Sequence, residues 1–214
     1  MKISAPRIIL ILSIALLAGM AVLFVAKRST SPDWASAPPE LQAILWPGAR
    51  DIASFKLTDQ QGQPFGKDGL KGEWSLLYFG YLQCPDICPT TLQSLSSMRG
   101  LIAKSEQEAD IPRMIFVSVD PANDTPDRIS GYLAFFDKNL IGLSGDPDQL
   151  GLLAHSLGIN YAEHVDPNGV RSMEHTTSVI VVDPQGRGVA ALAGSHQPRV
   201  MLQQFAALKK FLSR

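Results

Sequence analysis

Thiols and imidazoles are scarce in this sequence: its 214 residues include two cysteines and four histidines. Cys84 and Cys88 are close neighbours, so the thiol chemistry of the chain is confined to one place. A basic block is also missing, since 19 Lys and Arg oppose 20 Asp and Glu for a net charge of −1. Nucleic-acid binding requires clustered positive charge, so we expect no nucleic-acid partner. No internal repeat is visible, which excludes a repeat array.

Acidic residues are absent from the first 28 residues, where basic residues flank an uncharged apolar run at 8–26. As a helix rising about 1.5 Å per residue, this run reaches roughly 29 Å, the hydrocarbon thickness of a bilayer. It exceeds the apolar region of a cleaved signal peptide, about 7–15 residues. Met20 stands where a lipoprotein signal would need cysteine. We predict an uncleaved membrane anchor over residues 1–28, with a cleaved signal as the alternative.

The arm before the apolar run is short and is unlike a mitochondrial presequence, which is rich in Arg and Ser. We therefore predict a single-pass protein of the bacterial inner membrane, with its soluble domain in the periplasm. Residues 29–48 include four prolines and predict a semi-rigid spacer. Residues 49–214 predict one soluble domain. From residue 29 onward the chain has 15 basic and 20 acidic residues, a net charge of −5.

Hydrophobic patterning after the spacer predicts alternating strands and helices. A hairpin at 55–65 precedes two buried apolar strands at 74–79 and 114–119, with a helix at 90–104 between them. Further helices, strands and turns follow, at 126–136, 147–157, 177–182, 189–192 and 198–212. By itself the pattern indicates an α/β fold with a mixed sheet. Its element order resembles a thioredoxin-like fold, with helices flanking a mixed central sheet.

Both cysteines lie between a predicted strand and the following helix, in YFGYLQCPDICPTTL at 78–92. Ligands of open α/β sheets bind at the carboxyl ends of strands. We expect the helix N-terminus to lower the thiol pKa, because its partial positive charge favours the thiolate. A structural disulfide closing so short a loop would add only about 2 kcal/mol or less. A redox or metal-binding role is therefore favoured for Cys84 and Cys88.

His175 precedes the predicted strand at 177–182, where it could complete a site with two cysteines and one histidine. Two thiolates and an imidazole suit Cu(I), and Cu(II) accepts the same set. Structural zinc prefers four protein ligands, and no fourth is evident. The other histidines, His155, His164 and His196, are interpreted as surface or core residues. Met173 is interpreted as a packing residue.

Several motifs together resemble the Sco/SenC family of copper-binding proteins, which assist the assembly of cytochrome c oxidase. They occur in the family's order over about residues 55–211: YFGY at 78–81, CPDICP at 84–89, SVDP at 118–121, DTP at 124–126, residues 136–145, and His175 ahead of DPQG at 183–186. The resemblance implies that the metal ligands are Cys84, Cys88 and His175, and that the cofactor is copper, as Cu(I) or Cu(II).

The resemblance also implies a metallochaperone, not an enzyme. Its expected partners are the copper-bearing subunit of cytochrome c oxidase, whose copper A centre would receive the metal, and another periplasmic copper chaperone as donor. Two positions depart from the family pattern. Gln83 replaces a common histidine before the first cysteine, and Asn123 replaces a usual basic residue, where we expect an altered surface contact with a partner. Asp86 is interpreted as a solvated turn residue, with modulation of the thiols as the alternative.

The alternative function is a thiol–disulfide oxidoreductase that reduces the cysteines of the oxidase subunit or another periplasmic copper protein. The same dithiol could act by thiolate attack and mixed-disulfide formation. The spacing of Cys84 and Cys88 favours this less, because three residues separate the cysteines instead of two. A peroxiredoxin is favoured least, since no arginine is evidently placed to polarise a peroxide.

Overall fold

The computed structural model describes residues 34–104, 111–192 and 196–213. The predicted anchor at 1–28 lies outside these ranges. Within them, no helix has both the length and the apolar character needed to cross a membrane. The strands are β1 (Leu45–Asp51), β2 (Lys56–Asp59), β3 (Pro64–Gly66), β4 (Ser75–Gly80), β5 (Arg113–Ser118), β6 (Ile141–Ser144), β7 (Tyr161–Val165), β8 (Arg171–His175), β9 (Val179–Val182) and β10 (Arg187–Leu192).

Eight of these strands form one mixed sheet in the order β1-β10-β9-β4-β5-β6-β2-β3. Strands β4, β5 and β6 are parallel, and the pairings on either side of them are antiparallel. All six residues of β4 are buried, as are all four of β9. Continuous apolar runs are expected for central strands that are covered on both faces. The prediction of an α/β fold with a mixed sheet is confirmed.

The α-helices among the described residues are α1 (Pro39–Gln42), α2 (Ile87–Ala103), α3 (Pro126–Ala134), α4 (Pro147–Ser156) and α5 (Pro198–Leu212), and two 3-10 turns lie at Trp34–Ser36 and Lys67–Leu70. Helix α2 joins β4 to β5 and packs against α5, while α3 packs against β6. The side chain of Asp146 caps α4 by accepting from the N–H groups of Asp148 and Gln149. The predicted helices after the cysteine loop are all present.

Residues 34–48 were expected to belong to the spacer, but they pack onto the domain. Leu41, Ile44 and Leu45 are buried in the core, and β1 pairs with β10. Apolar side chains among the prolines explain this packing, and Pro47 is tolerated because β1 is an edge strand, where an N–H can be absent without loss of a ladder bond. The boundary at residue 49 is therefore wrong for the described part of the spacer.

Strands β7 and β8 form a separate antiparallel hairpin, which the hydrophobic pattern did not predict. Four of the five residues of β7 are exposed, so neither face shows the alternation that marks a half-buried strand. Its turn is stabilised by Asp166, whose Oδ1 accepts from the N–H groups of Asn168 and Val170 at 2.8 Å. The last residue of this hairpin is His175.

Candidate metal centre

Two neighbouring cysteines and a histidine that is distant in sequence converge at the end of the main sheet where β4 finishes and β9 begins. The Sγ atoms of Cys84 and Cys88 and a ring nitrogen of His175 all lie within 4.8 Å of one another. Nε2 of His175 is 3.5 Å from Sγ of Cys88. The cysteines follow the carboxyl end of β4, and His175 precedes β9, which is antiparallel to β4. Antiparallel pairing brings the end of one strand and the start of the other to the same edge.

The loop that carries Cys84 is held by backbone hydrogen bonds. The N–H of Cys84 donates to the carbonyl oxygen of Tyr81 at 3.3 Å. The N–H of Leu82 donates to Oδ2 of Asp124 at 3.1 Å. Asp86 is exposed at the N-cap of α2, and its side chain forms no capping hydrogen bond. This agrees with the interpretation of Asp86 as a solvated turn residue.

The ring of His175 is oriented for ligation through Nε2. Its Nδ1 lies 3.1 Å from the carbonyl oxygen of Thr176. A carbonyl oxygen can only accept, so Nδ1 carries the proton and Nε2 keeps its lone pair toward the sulfur of Cys88. Burial lowers the pKa of His175 below its ordinary value. The imidazole is therefore neutral at neutral pH, which is the form that binds metals.

The expectation that the helix N-terminus lowers the thiol pKa is wrong for Cys88. Cys88 is the second residue of α2 and its exposed fraction is 0%. Burial raises its pKa to about 12, although hydrogen bonds from Tyr78 and from the backbone at Tyr81 act in the opposite direction. Desolvation of the thiolate therefore outweighs the helix end. In the metal-free protein Cys88 is a neutral thiol that must lose its proton to become a ligand.

Two tyrosines, Tyr78 and Tyr81, contact the centre, a role that no predicted element indicated. The hydroxyl of Tyr78, a fully buried residue of β4, donates to Sγ of Cys88 at 3.6 Å. The rings of Tyr78 and Tyr81 meet the ring of His175 edge-on, with centroids 6.2 and 6.1 Å apart. Tyr78 therefore contacts both Cys88 and His175, and Tyr81 contacts His175. Both tyrosines belong to the YFGY motif, which precedes the cysteine loop. This proximity in sequence is the signal that could have indicated their place beside the metal donors.

The remaining histidines are outside the cluster. His155 and His164 are exposed, in agreement with their interpretation as surface residues. His196 is half-buried, with its Nδ1 2.8 Å from the hydroxyl oxygen of Thr91, and its ring contacts Tyr78 edge-on. Burial lowers the pKa of His196. Met173 packs against the hydrophobic core, as expected.

Asn123 contacts Asp120 within the same loop. Its side-chain amide donates to both carboxylate oxygens of Asp120 at 3.0 Å. The same carboxylate receives two hydrogen bonds from Arg171. No local sequence pattern indicates this network, because Arg171 lies far from Asp120 and Asn123 in the sequence.

The fold and the site define the chain as a thioredoxin-like α/β protein with two cysteines and one histidine gathered at the edge of its sheet. The SCO1/SenC family model matches residues 47–210. An SCO2-like protein of Rickettsia conorii is 30% identical over 208 residues, covering 95% of this chain and 98% of its own length. The chain therefore belongs to the SCO1/SenC family.

Solved structures agree with this assignment. The structure of Bradyrhizobium japonicum ScoI with copper bound is 36% identical, with a TM-score of 0.65, covering 75% of this chain and 98% of its own. The crystal structure of Arabidopsis thaliana ScoI with copper bound is 26% identical, with a TM-score of 0.68, covering 75% of this chain and 99% of its own.

Proposed function

We propose that this protein is a copper metallochaperone that binds copper through Cys84, Cys88 and His175. The observation that carries the proposal is the convergence of these three donors within 4.8 Å. Two soft thiolates and one imidazole match Cu(I), and they accept Cu(II) as well. Two similar structures, both solved with copper bound, support this choice of metal.

Delivery of the metal follows from the small number of ligands. Three protein donors hold copper while leaving room for a thiolate of an acceptor to approach. Ligand exchange can then proceed one bond at a time, without release of free copper. We propose the copper A centre of cytochrome c oxidase as the acceptor, and another periplasmic copper chaperone as the donor. Copper is thus cargo, and the protein needs no enzymatic activity.

Confinement to a membrane would assist delivery. We propose that residues 1–28 anchor the chain in the bacterial inner membrane, with the domain in the periplasm. The residues between the anchor and Trp34, the first residue that the structure describes, would then be the remaining spacer. A tether raises the effective concentration of the domain near an acceptor in the same membrane.

The test is an anaerobic copper titration of the full chain in detergent, comparing wild type with His175→Ala. We expect the substitution to weaken Cu(II) binding at least tenfold and to change the thiolate-to-copper absorption band. Cys84→Ser should abolish that band. The matched control is His164→Ala, which removes an exposed histidine from the same hairpin and should leave affinity unchanged. Equal affinities of wild type and His175→Ala would refute the ligand set.

A thiol–disulfide oxidoreductase is the second candidate, favoured by the proximity of two free cysteines. In that reaction the thiols of Cys84 and Cys88 would be oxidised to a disulfide while an acceptor disulfide is reduced to two thiols. The raised pKa of Cys88 makes it a poor attacking thiol at neutral pH. Reductase activity that persists in His175→Ala, together with unchanged copper affinity, would favour this function over the metallochaperone.

A further inference from the structure

We propose that the loop after β5 positions the metal ligands by binding both segments that carry them, the cysteine loop and the hairpin that ends at His175. This loop, residues 119–125, is called the clamp loop below. The proposal rests on the proposed copper site and adds Asp120, Asp124 and Arg171 as positioning residues. None of the three belongs to the cluster of metal donors among the described residues.

On one side, the clamp loop holds the hairpin that ends at His175. Arg171 begins β8 and donates from two guanidinium nitrogens to the two oxygens of Asp120, at 2.9 and 3.1 Å. Asp120 is only 3% exposed. A bidentate pair with a buried carboxylate is directional and is costly to break, because one buried charge would lose its partner. Arg171 also contacts Glu163 of the neighbouring strand at 2.5 Å.

On the other side, the clamp loop holds the cysteine loop. Asp124 has an exposed fraction of 0%. Its Oδ2 accepts from the N–H of Leu82 at 3.1 Å and from the hydroxyl of Ser118 at 2.7 Å. Leu82 precedes Cys84 by two residues, so the carboxylate fixes the backbone from which the first thiol projects.

A hydrogen-bonded turn joins Asp120, which binds the hairpin, to Asp124, which binds the cysteine loop. The carbonyl oxygen of Asp120 accepts from the N–H groups of Asn123 and Asp124, at 3.0 and 2.9 Å. The side chain of Asn123 closes the same turn onto the carboxylate of Asp120. A displacement of Asp120 is therefore transmitted to Asp124, and the hairpin and the cysteine loop keep a fixed relative position.

The ion pair between Arg171 and Asp120 affects the position of His175 because β7 and β8 pair with each other and with no strand of the main sheet in the described parts of the chain. The hydrogen bonds between Thr176 and Asn160 close the base of the hairpin and do not join it to the main sheet. The position of the hairpin, and hence of His175, therefore depends on side-chain contacts. Arg171 and His175 are the two ends of one strand. Loss of the ion pair should let this strand move as a unit.

The experiment compares Arg171→Gln with wild type in the full chain in detergent. We expect Cu(II) affinity to fall about tenfold and the thiolate-to-copper absorption band to shift, since Nε2 of His175 is no longer held toward Cys88. In the metal-free protein, amide hydrogen exchange in β8 should become at least about tenfold faster. Arg171→Lys keeps the positive charge but cannot make the bidentate hydrogen bonds of a guanidinium, so it should give an intermediate copper affinity.

The matched control is Arg187→Gln. Arg187 forms an ion pair at 2.7 Å with Asp183, with side chains 34% and 4% exposed, against 36% and 3% for Arg171 and Asp120. This pair closes the turn between β9 and β10, away from the metal donors. Arg187→Gln should leave copper affinity, the absorption band and hydrogen exchange in β8 unchanged. Glu163→Gln, which removes only the exposed partner of Arg171, should have little effect.

The outcomes separate the two proposals. If wild type binds copper but Arg171→Gln keeps wild-type affinity and absorption, the clamp is refuted while the copper site stands. If wild type fails to bind copper, the proposed function is refuted, and exchange in β8 still decides whether Arg171 holds the hairpin. Should Arg171→Gln fail to fold, Asp120→Asn removes the charge from the other partner and is read by the same measurements.

Discussion

Gly80 ends β4 directly against the sulfur of Cys88. A Cβ added at Gly80 would lie 2.8 Å from Sγ of Cys88 and 3.0 Å from a ring carbon of Phe116. Favourable contacts between such atoms require about 3.5–4.0 Å. Phe116 is fully buried, so it cannot move aside easily. The absence of a side chain at Gly80 is therefore what allows Cys88 to occupy its place in the cluster.

Gly80→Ala should displace the Cys88 thiol and weaken copper binding about tenfold, equivalent to about 1.4 kcal/mol. Overpacking should also lower the free energy of unfolding by about 1–3 kcal/mol. Copper titration and urea unfolding measure the two effects. The control is Gly100→Ala in α2, where an added Cβ meets nothing within 4 Å. That variant should retain copper affinity and gain stability, because alanine is the better helix former. Equal copper affinity of Gly80→Ala and wild type would contradict the prediction.

Tyr78→Phe should change the electronic environment of the Cys88 sulfur while leaving all three donors in place. Its hydroxyl donates to Sγ of Cys88 at 3.6 Å, and a donor to a thiolate lowers the energy of the sulfur lone pair. We expect the thiolate-to-Cu(II) band to move to longer wavelength, and the pKa of Cys88 in the metal-free protein to rise further. Absorption spectra and the pH dependence of alkylation test this. Tyr161→Phe, outside the cluster, should change neither, and an unshifted band in Tyr78→Phe would show that the hydroxyl has no influence on the sulfur.

Copper binding should strengthen as pH rises. The pKa of Cys88 is raised to about 12 by burial, so this thiol is protonated from about pH 6 to about pH 9 and must release its proton on binding. Apparent Cu(I) affinity should therefore increase at least about tenfold per pH unit in that range. His175 adds no such dependence above about pH 6.5, because burial lowers its pKa. Competition with a chromophoric Cu(I) chelator at several pH values measures the slope, and a flat profile would contradict a buried thiol ligand.

Acid should weaken the contact between the hairpin and the clamp loop. Burial acts to raise the pKa of Asp120, but hydrogen bonds from Arg171 and Asn123 outweigh it, and the pKa lies below its ordinary value. Such a carboxyl contributes stability above its unfolded pKa of about 3.9 and loses it as pH falls through the folded pKa. Wild type should therefore lose stability below about pH 4. Asp120→Asn should be less stable at neutral pH, with a flatter acid dependence in urea unfolding, and identical profiles would exclude this role.

Local patterns predicted most elements of the main sheet. Central strands such as β4 and β9 are continuous apolar runs, and proline at the first turn marked helices α3 and α4. The hairpin of β7 and β8 was not predicted because most of β7 is exposed and neither strand has an apolar period of two. Strand β1 was missed because prolines around it suggested a spacer, whereas its burial depends on pairing with β10.

The amino-acid sequence by itself determined the inventory of the site: two adjacent cysteines, one histidine before a strand, and motifs in the order of one family. Their meeting at 4.8 Å or less was decided by tertiary structure, because it requires β9 to lie antiparallel beside β4. The protonation of Cys88 was also decided there, since desolvation depends on what surrounds the sulfur and not on its place in a helix. The ion pair between Asp120 and Arg171 joins residues 51 positions apart in sequence, a separation that no local pattern spans.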